Sequence, residues 1–325
     1  MLEGIGAMRK QIEKFAKEIG FDLVGFSPAK IEDRYLEAFK EWLDTGKEGN
    51  MEYMDKLAQR RDLTQILPGA KSVIVLGMNY YRDQPMYIHG DGIVARYAYG
   101  RDYHKIIGKK LKLLEAHIKE LAPDAEIKAY IDTGPVMERA LAEQAGIGRI
   151  GKNGCVITKD FGSWIFLAEI ITTVNLTMGA SPKPSVDRWE NPQQKPGNVC
   201  GNCTKCIDAC PTGAIIAPGV IDSRLCISYL TIENKEEIPP ELAKIIKKSK
   251  RLYGCDICQE VCPHNEARQK INTHPEFQTP IAGDHLSLKK LQNLKTDEEF
   301  LQTFAGSPLM RTKRSGMQRN AKNLQ

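Results

Sequence analysis

The segment Cys200-Gly-Asn-Cys-Thr-Lys-Cys-Ile-Asp-Ala-Cys-Pro211 decides how this chain is organised, because its cysteines follow the order C-x2-C-x2-C-x3-C-P. This order is typical of proteins that bind two [4Fe–4S] clusters, in which the fourth cysteine of a run is a ligand of the other cluster. A second motif, Cys255-Asp-Ile-Cys-Gln-Glu-Val-Cys-Pro263, has one cysteine fewer. Cys226 lies between the two motifs and is the natural replacement for the missing ligand.

If the last cysteine of each motif is a ligand of the cluster held by the other motif, the eight cysteines form two ligand sets. The first set is Cys200, Cys203, Cys206 and Cys262, and the second is Cys210, Cys226, Cys255 and Cys258. Two zinc sites are the alternative, since C-x2-C pairs also bind zinc, although this order is not the usual zinc-finger spacing. The ninth cysteine, Cys155, is predicted to be a small core residue, which is a common environment for free cysteine, and a cluster ligand or a redox-active thiol are the alternatives.

Composition and the N-terminal sequence limit the class of protein. The chain has 325 residues, of which 42% are hydrophobic and 27% are charged, as in ordinary globular proteins. The sequence contains no apolar run long enough to cross a membrane. The first residues lack the charged start, apolar core and cleavage site of a signal peptide, which predicts a cytoplasmic location.

Charge is concentrated at the C-terminus. Lysine and arginine number 46 against 41 aspartates and glutamates, and residues 305–325 contain five basic residues and no acidic one. A basic tail attracts an anionic partner such as RNA, or it only keeps the protein soluble. The charge pattern by itself leaves both interpretations open.

Alternating strand and helix patterns upstream of the cysteines predict an α/β domain over residues 1–190. The proline-rich residues 182–197 are predicted to be a linker or a long surface loop. We expect the cysteine-rich domain at 191–270. Residues 271–325 are predicted to form a helical segment near 286–304 followed by the basic tail.

Asp132 is the candidate catalytic residue of the first domain. The sequence Asp132-Thr-Gly-Pro135 lies where a predicted strand (126–131) ends and a predicted helix begins. Strand ends of open α/β sheets are frequent ligand sites, and a carboxyl group there can donate a proton. A helix-capping role for Asp132 or Thr133 is an equal alternative. The glycine-rich residues 146–153 match neither a P-loop nor a dinucleotide-binding motif.

Several segments, in the same order, resemble the epoxyqueuosine reductase family over roughly residues 10–320. They include IDTGPVMERALAEQAGIGRIGKN (131–153), FGSWIFLAEI (161–170), the two cysteine motifs and GSPLMRTKRSGMQRNA (306–321). The resemblance implies a mixed α/β and α+β chain, in which a cobalamin-binding domain like that of reductive dehalogenases packs on a ferredoxin-like domain with two [4Fe–4S] clusters. It implies reduction of epoxyqueuosine to queuosine at the tRNA wobble position.

The resemblance also implies residue roles and partners. Asp132 matches the proton donor of the family, and cobalamin is expected base-off, without a histidine ligand. The residues expected near the corrin are Arg61, Tyr97, Ala98, Lys152, Asn153 and Ser163. The expected partners are tRNA carrying epoxyqueuosine and an external low-potential electron donor, with no membrane. The tail and the basic residues Lys244, Lys247, Lys248, Lys250 and Arg251 would contact tRNA phosphates.

Two departures and two alternative functions accompany this resemblance. The usual Arg-Asp-Pro of the family is Arg61-Asp-Leu63 here, and many members continue into C-terminal helical repeats. One alternative is a corrinoid-dependent reductase of a small molecule, which the missing export signal and the basic tail disfavour. The other is a ferredoxin-type electron carrier, for which the first domain is larger than needed.

Overall fold

The computed structural model describes residues 2–83, 91–177 and 199–325. The predicted linker at 182–197 lies outside these residues. Within these ranges, the fold is a mixed α and β structure with four sheets. The strands are β1 (Leu23–Pro28), β2 (Ser72–Asn79), β3 (Asp91–Val94), β4 (Ile127–Tyr130), β5 (Gly148–Ile150), β6 (Val156–Thr158), β7 (Ile165–Thr172), β8 (Ile215–Ala217), β9 (Val220–Ile221), β10 (Arg251–Tyr253) and β11 (His285–Ser287).

Of the helices in the described residues, the two longest lie in the first half of the chain. The helices are α1 (Leu2–Glu18), α2 (Asp33–Asp44), α3 (Leu57–Arg61), α4 (Tyr103–Leu121), α5 (Glu138–Gln144), α6 (Lys205–Asp208), α7 (Ile227–Ile232), α8 (Pro240–Ser249), α9 (Ile257–Glu260), α10 (Pro263–Glu266), α11 (Pro275–Gln278), α12 (Leu288–Asn293), α13 (Asp297–Phe304) and α14 (Lys313–Leu324). None of these helices in the described ranges is long and apolar enough to span a bilayer.

A four-stranded antiparallel sheet with the order β1-β2-β7-β4 forms the centre of the first half. Every residue of β2 is buried, as its valine- and isoleucine-rich sequence predicts. One face of the sheet packs against α1 and α4 and the other against α5. Asp102, a typical capping residue, caps α4 by accepting the backbone N–H of His104.

A second core connects the predicted N-terminal domain with the C-terminal residues. Strand β3 pairs in parallel with β10 and antiparallel with β11. Phe277 of α11 packs in the first core, although it follows the cysteine motifs in sequence. The three predicted segments are therefore interleaved in space, and their boundaries stay a prediction.

The C-terminal residues are helical near 286–304, as predicted, but they are not followed by an extended tail. The predicted helical segment near 286–304 is strand β11 followed by two helices, with Thr296 and Glu299 forming a capping box at the start of α13. The predicted tail is mostly helix α14, whose Met317 and Ala321 are fully buried. Its cations are largely engaged: Arg311 pairs with Glu233, and Arg314 pairs with Asp297. The last basic residues are thus part of the fold.

Arg319 stabilises this arrangement, because its guanidinium donates to the carbonyls of Leu230, Asn234 and Glu236 at the end of α7. We expect Arg319→Ala to lower the free energy of unfolding by about 2–3 kcal/mol, since it leaves these acceptors unpaired. Urea denaturation of the variant beside Lys322→Ala, another cation of α14, measures the effect. Equal midpoints for the two variants would contradict this role.

Candidate active site

Four cysteines from the two cysteine motifs line one small cavity. They are Cys200, Cys203, Cys206 and Cys262, the first predicted ligand set, and Pro263 and His264 complete the wall beside Asn153 and Ile157. Helix α10 begins directly after Cys262, which brings the second motif against the first. Among the described residues, no three Cys, His, Asp or Glu side chains form a site for a single metal ion.

The second predicted set also comes together in space. Cys226 is close enough to Cys210 for the charges of the two thiolates to interact. Cys255 and Cys258 are each close enough to Cys226 for the same interaction. Burial raises the pKa of the Cys255 thiol to about 12, and it also raises the pKa values of Cys226 and Cys258. Iron coordination deprotonates thiols outright, so a bound cluster would remove the cost of burying them as thiolates. The donor set therefore fits a cluster.

Cys155 lies between the two sets. It comes directly before β6, its N–H donates to Oδ1 of Asn153, and it is within electrostatic range of Cys206, Cys258 and Cys262. Burial raises the pKa of its thiol to about 11. Neither predicted ligand set includes it.

Three residues expected near the corrin contact the cysteine loops. The Nζ atom of Lys152 donates to the carbonyls of Gly201 and Cys203, and its backbone N–H faces Sγ of Cys200. Asn153 donates to the Cys258 carbonyl. The backbone N–H of Ser163 donates a hydrogen bond to Oδ1 of Asn265, which lies in α10, after Cys262. These contacts stabilise the cysteine loops, and a corrin contact for these three residues stays a prediction.

The other expected corrin neighbours are divided between core and surface. Arg61 is exposed at the end of α3, whereas its neighbour Arg60 is buried and donates to the Val136 carbonyl at 2.6 Å. Ala98 is fully buried in the second core. Tyr97 lies between the rings of Tyr103 and Tyr253, each about 6 Å away. Corrin contacts for Arg61, Ala98 and Tyr97 stay predictions.

Asp132 projects from the loop of residues 131–137, here called the Asp132 loop. Helix α5 begins at Glu138, with Met137 as its N-cap, so the helix-capping alternative for Asp132 and Thr133 is wrong. Asp132 has a left-handed φ of 55°, a strained conformation that costs about 1–3 kcal/mol in a non-glycine residue. Gly134 passes so close to the Tyr130 ring that a Cβ would lie 2.3 Å from it. The loop is therefore a constrained turn.

The Asp132 carboxylate is exposed and is oriented by a hydrogen bond from Tyr103, with His104 nearby. The Tyr103 hydroxyl donates to Oδ2 at 2.7 Å, and Nε2 of His104 lies 3.8 Å from the same atom. Burial and the charge of Asp132 raise the pKa of Tyr103, so its hydroxyl remains a donor. Burial alone would lower the pKa of His104, but its hydrogen bond to Asp102 and the nearby carboxylates raise it.

Two buried carboxyl groups lie beneath this loop, and the sequence analysis did not identify them. Glu169 is in the middle of β7, opposite Val75 and Tyr130, and has no exposed surface. Burial raises the pKa of Glu169 well above its usual value and that of Glu138 to about 7. The glutamate inside an apolar strand, Ser163–Val174, was the available signal.

A cation and an aromatic ring lie at the rim of the site. Arg311 makes a two-point ion pair with Glu233 and lies over the Tyr53 ring, 5.7 Å from its centroid. Both Tyr53 and Arg311 are within electrostatic range of Asp132. Tyr53 is 42% exposed. The C-terminal segment thus reaches the candidate catalytic loop.

Comparison with known proteins assigns this arrangement to a family. The family described as epoxyqueuosine reductase QueG, DUF1730, matches residues 60–133. A protein named epoxyqueuosine reductase from Gloeobacter violaceus is 40% identical over 96% of this chain and 94% of its own length. The chain belongs to the epoxyqueuosine reductase family. The family member of Pseudomonas aeruginosa is 36% identical over 98% of this chain and 84% of its own length.

Solved structures of the family agree with the fold. An epoxyqueuosine reductase with an epoxyqueuosine-modified tRNA stem loop superposes with a TM-score of 0.86 at 32% identity, over 98% of this chain and 81% of that one. The Bacillus subtilis enzyme has a TM-score of 0.83 at 31% identity, with the same coverage. That structure is described as having its catalytic aspartate loop swung out of the active site.

The cysteine region matches the 4Fe-4S double cluster binding domain over residues 199–265. This range includes all eight cysteines of the two sets. It decides between iron–sulfur clusters and the zinc alternative in favour of clusters.

Several buried polar atoms close to Asp132 lack a hydrogen-bond partner within the described part of the chain, and a bound cobalamin could provide one. Nε2 of His104, Oε1 of Glu138 and Nε of Arg60 are buried and have no hydrogen-bond partner among the described residues. Orphaned buried groups are costly unless a ligand or water satisfies them. The amide groups around a corrin supply both donors and acceptors. The residues around Asp132 therefore fit such a cofactor.

Proposed function

We propose that this enzyme reduces epoxyqueuosine to queuosine in tRNA. The superposition with the relative that holds an epoxyqueuosine-modified tRNA stem loop is the observation that supports this most, because it extends over almost the whole chain. The exposed Asp132 carboxyl next to Tyr103 provides a proton-donating group in the same fold. We propose the cytoplasm as its location and an external low-potential carrier as its electron donor.

The reaction removes the epoxide oxygen as water and leaves an alkene, which consumes two electrons and two protons. The two cysteine sets hold the clusters that relay single electrons, and cobalamin would supply a strongly reducing cobalt centre when bound. Asp132 would donate a proton to the departing oxygen. Tyr103 fixes the orientation of this carboxyl group, and His104, 3.8 Å from the same oxygen, would return a proton through one intervening water. Arg60, Glu138 and His104 would hold the cofactor's polar rim.

Tyr53 and Arg311 are positioned to contact the tRNA loop. Exposed aromatic rings stack on unpaired bases, and each such stack contributes about 1–3 kcal/mol. We expect Tyr53→Ala to raise KM for tRNA about tenfold or more with little change in kcat, because the ring binds substrate and takes no part in the chemistry. Steady-state kinetics measures this, with Tyr229→Phe, a buried tyrosine, as the control for general effects. An unchanged KM would exclude Tyr53 from the tRNA interface.

Anaerobic turnover tests the proposed function. The protein is reconstituted with iron and sulfide, supplied with cobalamin and a chemical reductant, and incubated with tRNA that contains epoxyqueuosine. Mass spectrometry of the digested tRNA should show queuosine only when cobalamin is present. Bound cobalamin without product would favour the small-molecule corrinoid reductase. Absence of cobalamin binding would favour the electron carrier.

A further inference from the structure

Glu169, which is fully buried, has no role in the chemistry described above, and Glu138 has there only its proposed contact with the rim of the cofactor. Glu169 projects from β7 into the core between the sheet and α5, where its neighbours are apolar. Neither of its carboxyl oxygens has a hydrogen-bond donor among the described residues. A buried carboxylate without a donor is strongly disfavoured, so this group needs a proton or a partner.

The partner of Glu169 is Glu138. The two carboxyl groups are within hydrogen-bonding range of each other, and each is within range of the Asp132 charge. Two carboxyl groups can form a hydrogen bond only when one of them carries a proton. Adjacent buried carboxylates cannot both remain ionised, and such a pair therefore shares a proton.

Glu138 also interacts with the N-terminal end of the Asp132 loop. The backbone N–H of Asp132 points to the Glu138 carboxylate and favours its ionised form. Arg60 donates to the carbonyl of Val136 and so ties the far end of the same loop. Between these two anchors, Asp132 is in its left-handed conformation. Without an anchor at Asp132, a strained loop should relax to other conformations.

We propose that Glu138 and Glu169 are positioning residues of this enzyme. They share one proton, and the ionised member, Glu138, holds the Asp132 loop in place by accepting the backbone N–H of Asp132. Glu169 is the proton carrier that makes this buried charge tolerable. The proposal concerns the loop position and rests on the proposed function only where turnover is measured.

The position of the loop should then depend on pH. Because burial and the charge of Asp132 raise the pKa of Glu138 to about 7, its ionised fraction rises as the pH increases through neutrality. The anchor is present above pH 7 and is lost as the pH falls and Glu138 takes up a proton. The charged and titratable groups that face the pair are Asp132, Arg139, Arg60, Tyr103 and His104.

Hydrogen–deuterium exchange of the peptide 131–137 in the reconstituted protein tests the proposal without turnover. After correction for intrinsic exchange, protection should increase from pH 6 to pH 8 in the unmodified enzyme. Glu138→Gln should remove this pH response, whereas Glu37→Gln, an exposed glutamate on α2, should keep it. Equal responses in the unmodified enzyme and Glu138→Gln, or pH-independent protection in the unmodified enzyme, would overturn the proposal.

Two substitutions of Glu169 distinguish a role as hydrogen-bond donor to Glu138 from a role in filling space in the core. Glu169→Gln keeps a donor for the Glu138 carboxylate and should retain both the pH response and kcat. Glu169→Leu keeps the volume and the apolar character but has no donor, so the response should move to higher pH and kcat should fall about 10- to 100-fold, as for other misplaced catalytic groups. Equal behaviour of the two variants would overturn the role of the shared proton. Loss of turnover in all forms, with the exchange pattern retained, would count against the proposed function and leave the positioning pair standing.

Discussion

Asp132→Asn is expected to lose at least about 100-fold in turnover of epoxyqueuosine-containing tRNA, the usual effect of removing a positioned proton donor. The asparagine keeps the size of the side chain and can accept the Tyr103 hydrogen bond, but it has no acidic proton to give. Single-turnover assays under anaerobic conditions measure the rate of the chemical step directly. We expect the iron content and the visible absorption of the clusters to stay unchanged.

The matched control is Asp124→Asn, an exposed aspartate after α4. This variant should retain full turnover because it is not part of the Asp132 loop. If Asp132→Asn turned over at the rate of this control, Asp132 would have no role as proton donor. The exposed carboxyl would then be a substrate contact at most.

Cys226→Ala is expected to reduce the iron content from about eight to about four atoms per chain and to abolish turnover. Cys226 is the ligand that neither motif contains, so its assignment depends on the exchange between the two sets. It is within electrostatic range of Cys210 and Cys255, which are members of the same predicted set. Iron and sulfide analysis together with electron paramagnetic resonance of the reduced protein measures the number of clusters.

Cys155→Ala provides the comparison for this variant. Cys155 is half-buried beside both sets but belongs to neither, so its removal should leave about eight iron atoms per chain. The reverse outcome, with iron lost in Cys155→Ala and retained in Cys226→Ala, would show that the ligand assignment is wrong. Loss of iron in both would indicate that Cys155 supports the clusters through packing.

The strands and the start of α4 were predictable because short stretches of sequence determine them. The cysteine sets were predictable because the spacing of the cysteines restricts how they can be divided between two clusters. β2 is a continuous apolar run, and Asp102 precedes a helical pattern as a capping residue. The Asp132 loop was not predicted correctly, since Thr133 and Pro135 are typical of a helix start and yet α5 begins at Glu138. Tertiary contacts with Tyr130 and Arg60 fix that turn, and a sequence pattern does not contain them.

The role of the basic C-terminal residues also could not be predicted from the sequence. Their charge is evident in the sequence, but the use of that charge depends on which carboxylates and carbonyls lie opposite. Arg319 is bonded to carbonyls more than 80 residues away in sequence, and Arg311 to Glu233. The predicted tail is largely a helix that stabilises the fold, Arg311 lies at the rim of the site, and a contact of this segment with tRNA stays a prediction.

The sequence by itself determined that this chain carries two clusters and belongs with reductases of modified tRNA, because ligand spacing along the chain is a property of the sequence. Only the tertiary structure decided which groups surround Asp132. Tyr103, Glu138 and Glu169 belong to three different elements, and each is unremarkable in its own segment. A buried carboxyl pair exists only where the packing of β7 against α5 excludes water, and that exclusion is decided by the fold.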